Sequence, residues 1–360
     1  MAKPMLFGNS RYLIACLLLV SPCSYVKGDE AIQWSSYGGF TNDNSQVFSG
    51  GLDEGFTSRI LIDSGIEATL NNHTLFASIQ IQRGKDGSAD TGDAQAYSNI
   101  DEANFARIYE LYYAFSTDSG FIRLGKHDAN GEFAFTEHGG GFINSSMGFS
   151  PTIFMLPTYP TPALSLNGGM AITESITWLG GVYAAESATN FDEQFYITEL
   201  QFQLTSDIQI KTGYWRDSNP VVSEEDTLLA EHSDGIYAIF DNAMPTLNWL
   251  NSSKVSHFIQ AGYTSGDVSE IDLHLGTGLA FEDVFSNDGH QAGIGITAVR
   301  FSEQLLPDSG WETALEIYWQ IPFSEHFTLQ PDLQIIQHPS GDTTINNAWV
   351  LTLRIDASVF

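Results

Sequence analysis

Basic residues are scarce in this chain: 14 Lys and Arg stand against 44 Asp and Glu in 360 residues, a formal charge of -30. So acidic a surface repels phosphate backbones, which excludes nucleic acid as a partner. Cysteine is almost absent, Cys16 and Cys23 being the only two. Both sit in a segment read below as a leader, so the mature chain has no disulfide, no thiol chemistry and no cysteine-ligated metal. Long apolar runs are missing as well, none approaching the roughly 18 residues of a membrane helix. What is present instead is 33 glycines, 12% aromatics and only 16% charged residues. Helix surfaces are usually rich in Lys, Glu and Arg, so this balance points to an all-β chain of strands and turns.

The start has the form of an export signal. Lys3 and Arg11 precede the apolar stretch Tyr12 to Val20, followed by the helix-breaking Pro22 and the small-residue positions Val26 and Gly28. This order predicts a signal peptide over 1–28, cleaved after Gly28, and a mature domain over 29–360. The apolar stretch has about half the length of a spanning helix, which favours a leader over an anchor.

Beyond the leader, strict alternation recurs, the pattern of strands whose two faces meet different surroundings. Ile60, Ile62, Ile66, Ala68 and Leu70 share one parity, and Arg59, Asp63 and Glu67 the other. Tyr109, Leu111, Tyr113 and Phe115 oppose Glu110, and Tyr196, Leu200, Phe202 and Leu204 oppose Glu199, Gln201 and Gln203. Leu315, Ile317, Trp319 and Ile321 oppose Glu316, Tyr318 and Gln320. A soluble sandwich also alternates, so the connections must discriminate. Asn71 to His73, Thr117 to Gly120, Thr205 to Asp207 and Pro322 to His326 read as short turns. Gly84 to Asn104, Arg216 to Asp234 and Val284 to His290 with its flanks read as long polar loops. Such alternation of short and long connections is what a transmembrane antiparallel β-barrel requires.

Sixteen strands would take about 21 residues each with their connections; twelve or eighteen fit almost as well. Trp34, Tyr37, Tyr97, Tyr112, Tyr183, Tyr214, Trp215, Trp249, Tyr263, Trp311 and Trp349 lie at strand edges, where barrels carry aromatic girdles, and core packing explains about half of them equally well. Gly293 to Ala298 matches the dinucleotide G-x-G-x-x-A pattern but sits in an alternating strand with no following helix, so it reads as strand glycines beside bulkier neighbours. The histidines, among them His127 and His138, are dispersed and suggest no metal site. No cofactor is expected; the acidic excess suits cation preference, Ca2+ or Mg2+ held in the loops, or a salty habitat.

Several motifs go further. From Tyr109 to Leu166 run Glu110-Leu111-Tyr112-Tyr113, Ile122-Arg123-Leu124-Gly125-Lys126-His127-Asp128-Ala129-Asn130, Glu132-Phe133-Ala134, Phe142 to Gly148, and Pro157 to Pro160 with Pro162-Ala163-Leu164. Near the end stand Glu312 to Glu316, Leu329 to Ile336 and His338 to Gly341. In order and spacing these stretches resemble the carbohydrate-selective porins, the OprB family of bacterial outer membranes. The resemblance implies a 16-stranded barrel, usually a homotrimer, in the outer membrane of a Gram-negative bacterium. It implies passive diffusion of small sugars such as glucose and no enzymatic reaction.

A sugar crosses where carboxylates and cations replace its water, provided that the binding is weak enough to release it. Alternation gives Arg59, Glu110, Glu316 and Asp332 as candidate constriction residues, and the resemblance, through the family's charged motif, implies Arg123, Lys126, Asp128 and Glu132. Asp63, Glu67, Glu199, Gln201, Gln203, Lys211, Gln330 and Gln334 also point inward. Arg123 and Lys126 have opposite parity, which a glycine bulge at Gly125 would reconcile. Asn144 to Ser146 and Pro157 to Pro162 read as an infolded loop that narrows the channel or plugs it. In the last strand Trp349 to Val359 and Phe360 differ in parity, predicting a bulge near Asp356 to Ser358. Two further readings stay open: a general or cation-preferring porin, and a secreted all-β carbohydrate-binding protein or enzyme.

Overall fold

The computed structural model describes residues 31–185, 190–222, 228–244 and 252–359. The leader 1–28 with its two cysteines, Trp249 and Phe360 lie outside the described residues. The first half of the fold comprises β1 (Gln33–Gly51), β2 (Phe56–Leu70), β3 (His73–Gly84), β4 (Phe105–Thr117), β5 (Gly120–His127), β6 (Ala163–Thr173), β7 (Ile176–Ala184), β8 (Gln194–Gln203) and β9 (Ile208–Asp217). After a small loop hairpin, β10 (Val221–Val222) and β11 (Leu228–Ala230), come β12 (Ser233–Met244), β13 (Lys254–Thr264) and β14 (Ile271–Glu282). The last four are β15 (Gln291–Phe301), β16 (Trp311–Ser324), β17 (Phe327–Gln337) and β18 (Asn346–Ser358). Each strand pairs antiparallel with its neighbours, β10 and β11 pair only with each other, and β1 closes on β18, so sixteen strands form a barrel with no free edge.

The barrel is apolar outside and polar inside. Leu75 is 60% and Ile122 59% exposed on the outer parity, whereas inward-facing Arg59 is 1% and Glu316 0% exposed. A water-soluble sandwich would reverse this, because exposed rows of Ile and Leu drive aggregation and buried charges cost heavily when unpaired. In lipid a closed barrel satisfies its backbone internally, and the apolar face meets hydrocarbon.

Short turns cluster at one end. Asn71 and Asn72 close β2–β3, with Asn71 at φ 52, a left-handed conformation that Asn tolerates. Val284 to His290 lies at this same end, between β14 and β15, and so is not one of the long loops of the opposite rim. The longest connections, 85–104 and 128–162, leave the other end and fold into the barrel. Alternation also misplaced one residue. The register of β3 and β4 shifts between Ala77 and Ile79, a bulge that turns both Tyr109 and Glu110 inward while Leu111, Tyr113 and Phe115 face out. No shift accompanies Gly125 on β5, nor Asp356 to Ser358 on β18, so neither expected bulge is present. Val359 stays on the outer face, 69% exposed.

The aromatics divide between the two faces. Trp34, Tyr214, Tyr263, Trp311 and Trp349 face outward, as girdle residues do. Tyr37, Tyr97, Tyr112, Tyr183 and Trp215 are inside, and Tyr183 and Trp215 are fully buried under the infolded loops.

Candidate channel constriction

Wall carboxylates hold the two infolded loops in place. Glu316 accepts the backbone N–H of Ile143 at 2.6 Å and of Asn144 at 3.1 Å. Asp241 accepts from Glu137 and His138, and Glu199 accepts from the Ala134 N–H at 2.9 Å and the Tyr237 hydroxyl at 2.7 Å. Glu312 does the same for the first loop, accepting from Ala94 and Gln95. A carboxylate offers about four acceptor sites, so one side chain can satisfy two orphaned amides of a loop that has no strand to pair with.

Apolar feet complete the attachment. Phe142 and Met147 pack with Phe258 and Tyr318. Beneath them lie Gly278, Gly293 and Gly295; a Cβ at Gly295 would stand 2.8 Å from the Phe142 ring and 3.0 Å from Met147. The G-x-G-x-x-A run is therefore a landing pad for the loop. A second foot, Phe133 with Ile153 and Leu156, packs on Tyr183, Phe195 and Trp215 of the wall.

With this much of the interior filled, the inward residues that keep some exposure include Asp63, Glu67, Glu110, Arg123 and Gln201, joined by Glu132 from the loop. Arg123 stands at the centre. Its Nη1 donates to Glu132 Oε2 at 3.1 Å, Asn167 Oδ1 at 3.2 Å and His127 Nε2 at 2.7 Å. A guanidinium only donates, so His127 Nε2 is the acceptor and the ring is the neutral Nδ1–H tautomer, facing the Tyr183 hydroxyl at 3.4 Å. The guanidinium also lies 4.8 Å from the Tyr112 ring centre and 5.1 Å from that of Phe121. Its Nε is buried without a partner. Glu110 accepts from the Asp128 N–H at 3.1 Å and approaches His127 to 3.6 Å. Asp128 caps the turn Ala129–Gly131 through Asn130 N–H and accepts from the Tyr109 hydroxyl; burial holds its carboxyl above the usual range. The result is one cation among several carboxylates on the inner wall beside the infolded loop, a set of donors and acceptors suited to sugar hydroxyls.

The eight candidate residues separate by position. Glu110, Arg123, Asp128 and Glu132 come together. Lys126 does not: without a bulge at Gly125 it shares the outer parity of Ile122 and Leu124, and its Nζ donates to the Ile108 carbonyl at 2.7 Å. Arg59 points inward but holds the first loop, through Asp101 at 2.8 Å and the Tyr97 hydroxyl at 2.6 Å. Burial pushes the Asp101 carboxyl up to about 6 against the pull of that guanidinium. Glu316 is a loop anchor, and Asp332 is buried beside it, accepting from Gln334 at 3.2 Å. The partners of Arg123 also include His127, Tyr112, Phe121 and Asn167; the parity 121, 123, 125, 127 signals Phe121 and His127, whereas Tyr112 and Asn167 come from the neighbouring strands β4 and β6. Among the described residues no group of three or more His, Cys, Asp or Glu is placed to hold a metal ion.

A cavity of about 270 Å³ opens between the two infolded loops, lined by Gln95, Ser146, Phe149, Phe154 and Tyr159 among others.

A family model described as carbohydrate-selective porin, OprB family, matches residues 60–358. Nothing among curated proteins matches the chain. Among solved structures, the high-pH form of Pseudomonas putida OprB aligns with a TM-score of 0.77 at 14% identity, covering 90% of this chain and 94% of that one. The low-pH form of the same protein aligns at 0.58 and 12% identity, covering 90% and 92%. The outer membrane channel DcaP of Acinetobacter baumannii aligns at 0.58 and 9% identity, covering 91% and 97%. At such identities these likenesses concern the barrel, whereas the family match spans most of the sequence: the chain belongs to the carbohydrate-selective porins of the OprB family, outer-membrane channels that admit sugars.

Proposed function

We propose that the channel passes single small sugars such as glucose down their gradient, through the gap bounded by Arg123, Glu110 and Glu132. The observation that carries this reading is the placement of Arg123, a partly exposed cation with acceptors around it and two aromatic rings against it. A pyranose offers hydroxyls for the charged groups and an apolar C–H face for the rings. The cavity between the loops, with Phe149, Phe154 and Tyr159 in its lining, is suited to receive the sugar first. Diffusion of this kind needs no cofactor and involves no reaction. Proteoliposomes are expected to swell faster in glucose than in a trisaccharide, by about tenfold or more if the gap admits one ring at a time. Equal rates would remove the sugar selectivity and leave a general pore.

The finer assembly follows from the outer face. Asn42, Asn44 and Gln46 are three successive outward positions of β1, and Ser58 joins them from β2. Asn44 Nδ2 donates to Asn42 at 2.7 Å, and the Ser58 hydroxyl donates to Asn44 at 2.9 Å. In register they lie beside Leu351, Leu353 and Ile355 of β18, at membrane depth, where an amide row is poorly suited to lipid. A second copy of the chain supplies matching amides, which supports a homotrimer packed along β1 and β2. Native mass spectrometry of protein from outer membranes is expected to give a three-copy particle whose chain begins at Asp29, after the leader. Particles of one copy, or a retained leader, would contradict these assignments.

A further inference from the structure

The chain has few cations, and their placement on the outer face is uneven. Among the described residues the outward Lys and Arg of the barrel strands are Arg83, Lys126, Arg216 and Arg300, each the penultimate residue of its strand, β3, β5, β9 or β15. All four strands end at the long-loop rim, so the outward cations form a partial ring there.

Two of the four have a carboxylate at hand. Arg300 binds Asp272 through Nε at 2.8 Å and Nη2 at 2.9 Å, and Arg216 stands opposite Asp234 across the β9–β12 register. Arg83 and Lys126 have no carboxylate among their hydrogen-bond partners. Arg83 Nη1 donates to the Gln82 and Phe105 carbonyls at 2.7 and 2.6 Å, and Lys126 Nζ donates to the Ile108 carbonyl at 2.7 Å. Arg has five N–H donors and Lys three, so both keep donors to spare. The Phe105 and Ile108 carbonyls are three residues apart on β4, which places the two cations about 10 Å apart along that strand, Arg83 at the rim and Lys126 below it. Arg107 lies between them; its Nη1 donates to the Pro160 carbonyl at 2.8 Å and Thr161 Oγ1 at 2.7 Å, and its charge reaches Lys126.

The acids nearby are occupied. Glu110, which Lys126 also senses, faces inward onto Asp128 and His127, and Glu102 accepts from the Ala103 N–H. Below the rim the outer face carries Ile79, Ile108, Leu111 and Leu124, all about half exposed. Cations over an apolar face, at the level where lipid headgroups meet the barrel, match an amphiphile that carries phosphate above acyl chains.

We propose that Arg83 and Lys126 bind the phosphorylated headgroup of an anionic glycolipid of the outer leaflet, its acyl chains lying on Leu111 and Leu124. In a chain of formal charge -30, whose loops repel anions, this patch is where such a headgroup is held.

The test is native mass spectrometry of the full chain in detergent with three probes: a bis-phosphorylated diglucosamine lipid, its dephosphorylated form and inorganic phosphate. The wild type is expected to retain the phosphorylated lipid and release the dephosphorylated one. Arg83→Gln with Lys126→Gln should lower retention by about tenfold or more, whereas Arg216→Gln should leave it within about twofold. Lys126→Gln alone, the milder change, should lower it by a smaller factor. Heat-modifiable migration on gels verifies that each variant is folded. Equal retention of both lipids, or unchanged retention in the double variant, overturns the proposal. So does inorganic phosphate held at these residues with no preference for the lipid, which would assign the patch to a soluble anion. A double variant that alters the copy number while lipid retention stays the same would make it a subunit contact instead.

Discussion

Glu316→Ala is expected to open the channel. The carboxylate of Glu316 accepts two backbone N–H groups at the tip of the 128–162 loop, and Asn144 Nδ2 adds a bond to Gln334 at 3.1 Å. Removing the acceptor leaves two buried donors unsatisfied, each costing about 1–3 kcal/mol. A loss of about 3 kcal/mol shifts a two-state loop equilibrium by roughly two orders of magnitude. The Phe142 and Met147 foot on its glycine pad remains, so the loop should leave the barrel intermittently rather than permanently. Planar-bilayer recordings should then show a larger main conductance with frequent additional steps, on the order of twofold or more in amplitude. Glu316→Gln, which keeps one acceptor oxygen, should fall between. Unchanged conductance in Glu316→Ala would mean that the loop tip is held by its apolar foot alone.

Arg123→Ala is expected to weaken sugar binding while admitting cations more readily. A hydrogen bond from a charged donor contributes about 1.5–3 kcal/mol, so the apparent sugar affinity should fall by about ten- to a hundredfold. Loss of the guanidinium also leaves Glu110 and Glu132 without the cation among them, so reversal potentials in a salt gradient should move toward the cation value. Arg123→Lys separates charge from geometry. It keeps the positive charge but loses the planar fork that reaches Glu132, Asn167 and His127 together, and with it the stacking on Tyr112 and Phe121. Ion selectivity should therefore survive in Arg123→Lys while sugar affinity drops. Wild-type sugar affinity in Arg123→Ala would remove this residue from the pathway.

These two residues also mark how far the sequence could be read. The barrel was legible because lipid and lumen impose opposite demands on alternate residues, and β2 and β8 keep that alternation without interruption, as β16 does up to Pro322. A single unpaired residue defeats the same logic. Arg123 and Lys126 required one change of parity, which the sequence suggested at Gly125; the bulge is on the facing strand, at Tyr109 and Glu110, and Lys126 stays outside. Which of two paired strands absorbs an extra residue depends on the partner's side chains, and alternation along one strand does not encode it.

The inward carboxylates carry a similar lesson. Alternation placed Glu199, Glu316 and Asp332 on the inner wall, as the structure does, and suggested a wet lumen around them. They are buried because the loops return into the barrel and use them as acceptors. Glu110 and Arg123, by contrast, keep part of their side chains exposed, 17% and 14%. Periodicity reports the face of a residue, whereas its occupancy depends on contacts between segments more than 100 residues apart, such as Ile143 with Glu316. The aromatic residues divide for the same reason: Trp349 and Tyr183 look alike as strand-edge rings, yet one meets lipid and the other supports the loop.

Sugar passage through this channel is tested most directly by the single-channel conductance of the wild-type protein in a planar bilayer while glucose is titrated into the salt solution. Discrete steps are expected whose ion current falls saturably with glucose, because sugar and ions share the proposed gap at Arg123. Steps of constant size at every glucose concentration, scaled only by the viscosity of the solution, would contradict sugar passage there.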